Sequence, residues 1–174
     1  MTARNEYALI TGASAGLGAE FARQLAAAGQ NLILVARRED RLSALAEELR
    51  AAHKIDCQLI VADLNEPGAG AQISSTCVSS GWQVSWLVNN AGVAGPDLLK
   101  DRDWAAQQTF FQLMMLSVAD LCHRMIPNMV EGGYGRVINV ASVAARVPRS
   151  GGCNYGPAKA YLVALSEELN LTVA

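Results

Sequence analysis

Short apolar, β-branched runs alternate with longer helical patterns along the whole chain, and this alternation restricts the fold more than any other feature. Residues 6–11 (EYALIT), 31–36 (NLILVA), 56–62 (DCQLIVA), 84–88 (VSWLV) and 135–141 (GRVINVA) read as five strands. They are apolar almost continuously, as parallel strands covered on both faces are. Helical spacing fills the gaps at about 17–29, 39–53, 66–80, 103–131 and from 155 onward. In the second of these, Glu39 and Asp40 lead, and Leu42, Leu45, Ala46 and Leu49 repeat on one face. Gly29 sits where the first helix should stop. The pattern predicts an α/β fold, a doubly wound parallel sheet with right-handed crossovers. No internal repeat or linker divides it, so residues 1–174 are expected to form a single domain. The glycine- and proline-containing stretches 65–70, 92–97 and 146–152 read as loops, and 92–97 follows the fourth strand, at the edge where such sheets bind ligands.

Composition narrows the function classes. Half the residues are apolar (51%) and 17% are charged, enough for a substantial core. A net charge of −2 leaves no basic footprint for nucleic acid or an anionic membrane surface. No apolar run approaches the roughly 20 residues that span a bilayer. The polar start, Met1 to Glu6, lacks the basic-then-apolar pattern of a signal peptide, so the expected location is cytoplasmic. Cys57, Cys77, Cys122 and Cys153 form no Cys-x-x-Cys pair; they read as free thiols, and no metal site is expected. His53, near a helix end, and His123, inside an apolar helix, read as surface or packed residues.

The first strand runs into Thr11-Gly12-Ala13-Ser14-Ala15-Gly16-Leu17-Gly18, and a helix follows at once. Glycines here allow a tight turn and close approach of backbone to a pyrophosphate, to which the helix N-terminus offers unpaired N–H groups. An ordinary glycine turn would contain the same residues. Its position between the first strand and first helix of an alternating chain favours a Rossmann-type dinucleotide site.

Further along stand Asn89-Asn90-Ala91-Gly92 after the fourth strand, Ser142 after the fifth, and Tyr155-x-x-x-Lys159 thirteen residues beyond that serine. In this order and spacing, with the T-G-x-x-x-G-x-G loop, the set resembles the short-chain dehydrogenase/reductase family in its compact, single-domain, NADP-preferring branch. The resemblance runs from the first strand to about residue 170. It implies cofactor contacts from Gly12, Ser14, Ala15, Gly16, Leu17 and Gly18. It also implies that Asp63 and Leu64 lie by the adenine, that Asn89 mainly ties the central strands together, and that Ala91 and Gly92 lie on the ribose side. Asp63 could equally serve as a turn or helix cap.

NAD-selective sites hold the ribose hydroxyls with an acid at the end of the second strand. Here Val35-Ala36-Arg37-Arg38 has an alanine at that point, followed by two guanidinium groups suited to a 2′-phosphate. Solvated charges leading a helix would look the same. In the family, an arginine at the position of Arg37 marks NADP preference, and NADP is the cofactor expected.

Tyr155 and Lys159 are four residues apart at the start of a helix, so both side chains rise from one face. A free phenol has a pKa near ~10, and a neighbouring ammonium favours its ionised form. The expected chemistry is a phenol that protonates a carbonyl oxygen as hydride arrives, or deprotonates an alcohol in reverse. Ser142 would donate a hydrogen bond to that oxygen, and the resemblance gives Tyr155 a contact with the cofactor and Lys159 a hold on the nicotinamide ribose. A Tyr–Lys pair at this spacing is commonplace by itself. Pro157 fits the first turn of the helix, where its missing N–H has no intrahelical partner.

One position departs from the family. Counting back from Pro127, Met114 stands where the family usually carries an asparagine that helps hold a water in a proton relay. A thioether cannot replace an amide in that role. The resemblance further implies a sixth strand and a substrate lid beyond this sequence, so five strands are expected, with the C-terminal part missing. Residues 170–174 (NLTVA) are a candidate start of that strand. It also implies a small-molecule carbonyl or alcohol substrate and a homodimer or homotetramer. Two other readings stand beside the oxidoreductase: a non-catalytic NADP(H)-binding sensor or partner-binding protein, and a nucleotide-sugar epimerase or dehydratase. The last usually has a larger substrate domain and a T-G-x-x-G-x-x-G loop, and the loop here, T-G-x-x-x-G-x-G, differs.

Overall fold

The computed structural model describes residues 6–148 and 153–173. Five strands, β1 (Glu6–Thr11), β2 (Asn31–Ala36), β3 (Cys57–Val61), β4 (Gln83–Asn89) and β5 (Arg136–Asn139), form one parallel sheet in the order β3-β2-β1-β4-β5. The order reverses between β1 and β4, the switch point at which doubly wound sheets open a crevice above their strand ends. Helices α1 (Gly16–Ala27), α2 (Glu39–His53), α3 (Ala69–Ser79), α4 (Trp104–Phe111), α5 (Ser117–Glu131) and α6 (Tyr155–Val173) cover it.

Alternation along the strands divides the core into two layers. Ala8, Ile10, Leu32, Leu34 and Val88 face α1 and α2, meeting Ala22, Ala26, Leu42 and Leu49. Tyr7, Leu9, Ile33, Val35 and Leu87 face the other helices, meeting Ile73, Leu121, Met125 and Leu162. The alanines of α1 let that helix lie close on the sheet. Its end is set by Gly29, at φ +80°, whose N–H bonds the Ala26 carbonyl. The four cysteines are free thiols, three of them buried. No helix among the described residues is long and apolar enough to cross a membrane.

Besides shifts of one or two residues at other element ends, four expectations are corrected with a physical reason. The helix expected over 103–131 is interrupted: α4 passes through a π-helical turn (Gln112–Leu116) before α5 begins. There the Ser117 hydroxyl donates to the Leu113 carbonyl at 2.7 Å. Apolar spacing registers no break because Leu113, Met114, Met115 and Leu116 are all apolar. The third helix starts at Ala69 rather than 66. The Asp63 carboxylate takes the Asn65 N–H at 3.0 Å, and Gly68 at φ +85° turns the chain. β5 ends at Asn139, two residues short of the expected bound. Beyond it Lys159 takes the Val140 carbonyl, and Val143–Ala145 form a 3₁₀ turn. Residues 170–173 do not start a strand; they continue α6, and the Thr172 hydroxyl donates to the Glu168 carbonyl at 2.8 Å. The leucines, alanines and glutamates before them favour helix propagation. Of the 146–152 loop, residues 149–152 lie outside the described residues, as do residues 1–5 and 174.

Candidate active site

At the C-terminal ends of β1, β2 and β4 the switch point opens into a cleft of about 460 Å³. The glycine loop forms one wall, with Gly12, Ser14, Ala15 and Leu17 lining it. Gly12 has φ +65°, and a Cβ there would come within 2.9 Å of both Ala91 Cα and Asn90 Nδ2. Only glycine meets both conditions. Gly16, at φ +56°, faces open space where a side chain would stand. Gly16 and Gly18 do not line the cleft. Gly18 instead lets α1 close onto the Gly12 carbonyl and the Asn90 amide, so its part is packing.

Arg37 and Arg38 line the far end of the cleft together with Asp63, Leu64 and Asn65. Arg38 donates to the Ser14 hydroxyl through Nη2 at 2.9 Å and Nε at 3.3 Å, so the start of α2 is tied to the glycine loop. Arg37 Nη1 lies 3.6 Å from Asp63 Oδ2, and its side chain is 65% exposed. Two cations and a hydroxyl thus converge on one polar corner, a donor set that suits a phosphate dianion. Asp63 also holds the turn after β3 by accepting both the backbone N–H and side-chain amide of Asn65.

The two adjacent asparagines do different work. Asn89 is buried, donates to Asn139 Oδ1 at 2.8 Å, and so ties β4 to β5; it is not a cleft residue. Asn90 is one, and sequence reasoning passed over it. Its Nδ2 donates to the Thr11 carbonyl at 3.0 Å, while its own N–H and that of Ala91 both reach the Thr11 hydroxyl. Strand alternation was the available signal: successive residues leave a strand on opposite faces. Ala91 and Gly92 line the cleft, with Val93 and Leu113 beside them.

Ser142, Tyr155 and Lys159 stand outside this cleft, around the end of β5. Lys159 is 5% exposed, donates to the Val140 carbonyl at 2.6 Å, and holds its ammonium 5.8 Å from the centroid of the Tyr155 ring. Burial pushes the Lys159 ammonium below its ordinary pKa. The Ser142 hydroxyl oxygen accepts the Ala144 N–H at 3.2 Å, which fixes its position and leaves its proton free to donate elsewhere. A Cβ on Gly156 would come within 2.9 Å of the Ala144 carbonyl, so the Ser142 turn and the start of α6 touch. The loop after β4 closes the third side. A Cβ on Gly95 would meet the Phe110 ring at 3.1 Å and the Tyr155 backbone nitrogen at 3.5 Å. Asp97 pairs with Cys153 in an isolated bridge.

Met114 is 1% exposed, within the π turn, and its sulfur accepts the Val93 N–H at 3.4 Å. The same sulfur would lie 3.2 Å from a Cβ on Gly92. The thioether thus fills the space beneath the backbone that lines the cleft.

A parallel sheet with its glycine loop at the switch point and a Ser-Tyr-Lys cluster beside the cleft defines a class of nucleotide-binding α/β proteins. Comparison with known proteins narrows it: the short chain dehydrogenase family model matches residues 6–174, and the chain belongs to that family of oxidoreductases. Sulfoacetaldehyde reductase 2 of Chromohalobacter salexigens is 35% identical over 160 residues, covering 91% of this chain and 63% of that protein. The solved structure of a short-chain dehydrogenase from Sphingobium yanoikuyae in complex with NADPH superimposes with a TM-score of 0.89. It is 32% identical, over 97% of this chain and 65% of that one. A third relative, described as inactive hydroxysteroid dehydrogenase-like protein 1 of Homo sapiens, is 28% identical over 97% of this chain and 51% of its own length. The chain therefore spans about half to two thirds of the length of these relatives.

Proposed function

We propose that the protein is an NADP(H)-dependent oxidoreductase that moves a hydride between the cofactor and a ketone, aldehyde or secondary alcohol. One observation carries the reading. A buried ammonium, Lys159, is pinned to the end of β5 and faces the Tyr155 ring at 5.8 Å, one loop away from a cleft with a cationic corner.

The cofactor would supply the hydride and accept it back in the reverse direction. Gly12, Ser14 and Ala15 would receive its pyrophosphate, and Arg37 and Arg38 its 2′-phosphate. Asp63 and Leu64 would border the adenine, and Ala91 and Gly92 the ribose. In reduction, Tyr155 gives its hydroxyl proton to the substrate oxygen as the carbonyl carbon gains the hydride. Ser142 donates a hydrogen bond to the same oxygen, and Lys159 opposes the negative charge left on the phenol oxygen. Lys159 itself is withdrawn from solvent, which strengthens its pull on that charge. Lys159 would also hold the ribose hydroxyls. In oxidation every proton moves in the opposite sense.

The test is NADPH consumption with a panel of ketones and aldehydes, comparing the protein with Tyr155→Phe. Turnover should fall by about 10²–10⁴-fold in the variant, while NADPH binding stays the same. Equal turnover in both would remove Tyr155 from the reaction.

A second reading, a non-catalytic NADP(H)-binding protein, is favoured by Met114. A buried thioether offers no amide for a water relay, and one relative in the comparison is described as inactive. On that reading NADPH binds and no member of the panel is turned over.

A further inference from the structure

We propose that Gln107 is a positioning residue for Tyr155, acting through Asn154; the inference rests on the reading of Tyr155 as acid and base. Gln107 lies in α4 and is 2% exposed. Its Oε1 accepts the Asn154 side-chain amide at 3.1 Å. Asn154 immediately precedes Tyr155, and its carbonyl accepts the Ala158 N–H at 2.9 Å, the bond that opens α6. The glutamine therefore holds the residue from which the Tyr155 turn departs.

Three features give this pair its weight. First, Gln107 and Phe110 of α4 and Met114 of the π turn are all buried, and each supports a piece of the site. Met114 takes the Val93 N–H, Phe110 packs under Gly95, and Gln107 reaches across to Asn154. Of these three, only Gln107 makes a directional bond to the segment that begins α6. Second, Gln107 Nε2 is buried with no hydrogen-bond partner among the described residues. A buried donor without a partner opposes folding, so a methionine of similar length would fill the place at less cost. The amide is explained by what its oxygen does. Third, the antiparallel bridge between Asp97 and Cys153 joins the loop after β4 to the same short segment. Asn154 is thus held from the α4 side and from the loop side, which fixes where Tyr155 leaves the backbone. Reacting groups need placement to within about half an ångström, and a 1 Å error costs on the order of 10²-fold in rate.

The experiment uses Gln107→Met, Asn154→Ala and the double variant in the full chain. Each single change should lower kcat by about 10-fold or more and affect the NADPH dissociation constant much less, because the phosphate-binding corner lies in the cleft that neither residue lines. The double variant should lose no more than the worse single one, since both changes break the same bond. Melting temperature should hold or rise in Gln107→Met. Hydrogen exchange supplies a second readout: the Ala158 amide should exchange about 10-fold faster in both singles, while β1–β3 keep their protection. Unchanged kcat, additive losses, or unchanged Ala158 protection would each overturn the proposal. If the unaltered protein turns over no carbonyl, the functional reading fails by itself, and exchange at Ala158 alone then decides whether Gln107 holds this turn.

Discussion

Replacing Arg37 and Arg38 with alanine should convert a cofactor preference into a measurable loss, and the structure assigns the two residues unequal shares. Arg38 is already ordered by two hydrogen bonds to Ser14, so little side-chain entropy remains to be lost when a phosphate arrives. A charge-assisted hydrogen bond from such a group contributes ~1.5–3 kcal/mol, which corresponds to about 10–150-fold in affinity. Arg37 is 65% exposed and 3.6 Å from the competing Asp63 carboxylate. Solvent screening places its share near ~1 kcal/mol, roughly 5-fold. Titrating NADPH and NADH by cofactor fluorescence separates the two effects. Arg37→Ala should weaken NADPH alone. Arg38→Ala should weaken NADPH strongly and NADH slightly, because Ser14 loses its tether to the start of α2. The double variant should bind both cofactors with similar affinity. Added salt should weaken NADPH binding to the unaltered protein more than to the double variant. Equal losses for NADPH and NADH, or an unaffected NADPH affinity in the double variant, would refute the phosphate corner.

Three further outcomes follow from the same geometry. Burial and then the hydrogen bond to Asp56 push the Tyr7 phenol up to about 12, so the folded state holds that proton more tightly than the unfolded chain. Its stabilisation is present below pH 10 and lost as pH rises from there through 12; Tyr7→Phe should flatten this alkaline loss and cost about 2 kcal/mol at neutral pH in denaturant unfolding. Burial pushes the thiols of Cys57 to about 12 and of Cys77 and Cys122 to about 11. Alkylation followed by mass spectrometry should therefore modify the exposed Cys153 in the native protein and the other three only on unfolding. Gly12→Ala combines a left-handed backbone with a Cβ only 2.9 Å from Ala91 Cα, and should cost about 2–5 kcal/mol of stability along with NADPH binding.

Where burial on both faces left a strand no choice, its bounds were legible in the sequence. Glu6–Thr11 and Asn31–Ala36 match their apolar runs to the residue, and Glu39–His53 matches its heptad-like stripe. The place of the glycine loop at the head of α1, of the two arginines at the head of α2 and of Tyr155 and Lys159 on the first turns of α6 was likewise legible, because each depends on residue type at a fixed spacing. What stayed hidden depends on single backbone bonds. Four of the five residues of the π turn at Gln112–Leu116 are apolar, so the break left no trace in the apolar spacing. Strand alternation says that Asn89 and Asn90 point apart, but which of them turns to the cleft depends on the register at the end of β4, which propensity does not set. The Gln107–Asn154 bond joins residues 47 apart, and nothing in either neighbourhood announces the other. Met114 was the reverse case: its departure from the family was plain in the sequence, but its bond to Val93 required coordinates.

The most direct test of the central claim is to follow deuterium from C4-deuterated NADPH into the product of a carbonyl substrate. The account predicts deuterium on the carbinol carbon, with transfer lost in Tyr155→Phe although the variant still binds NADPH. Tight NADPH binding with no deuterium in any product would contradict it and leave a nucleotide-binding protein without hydride transfer.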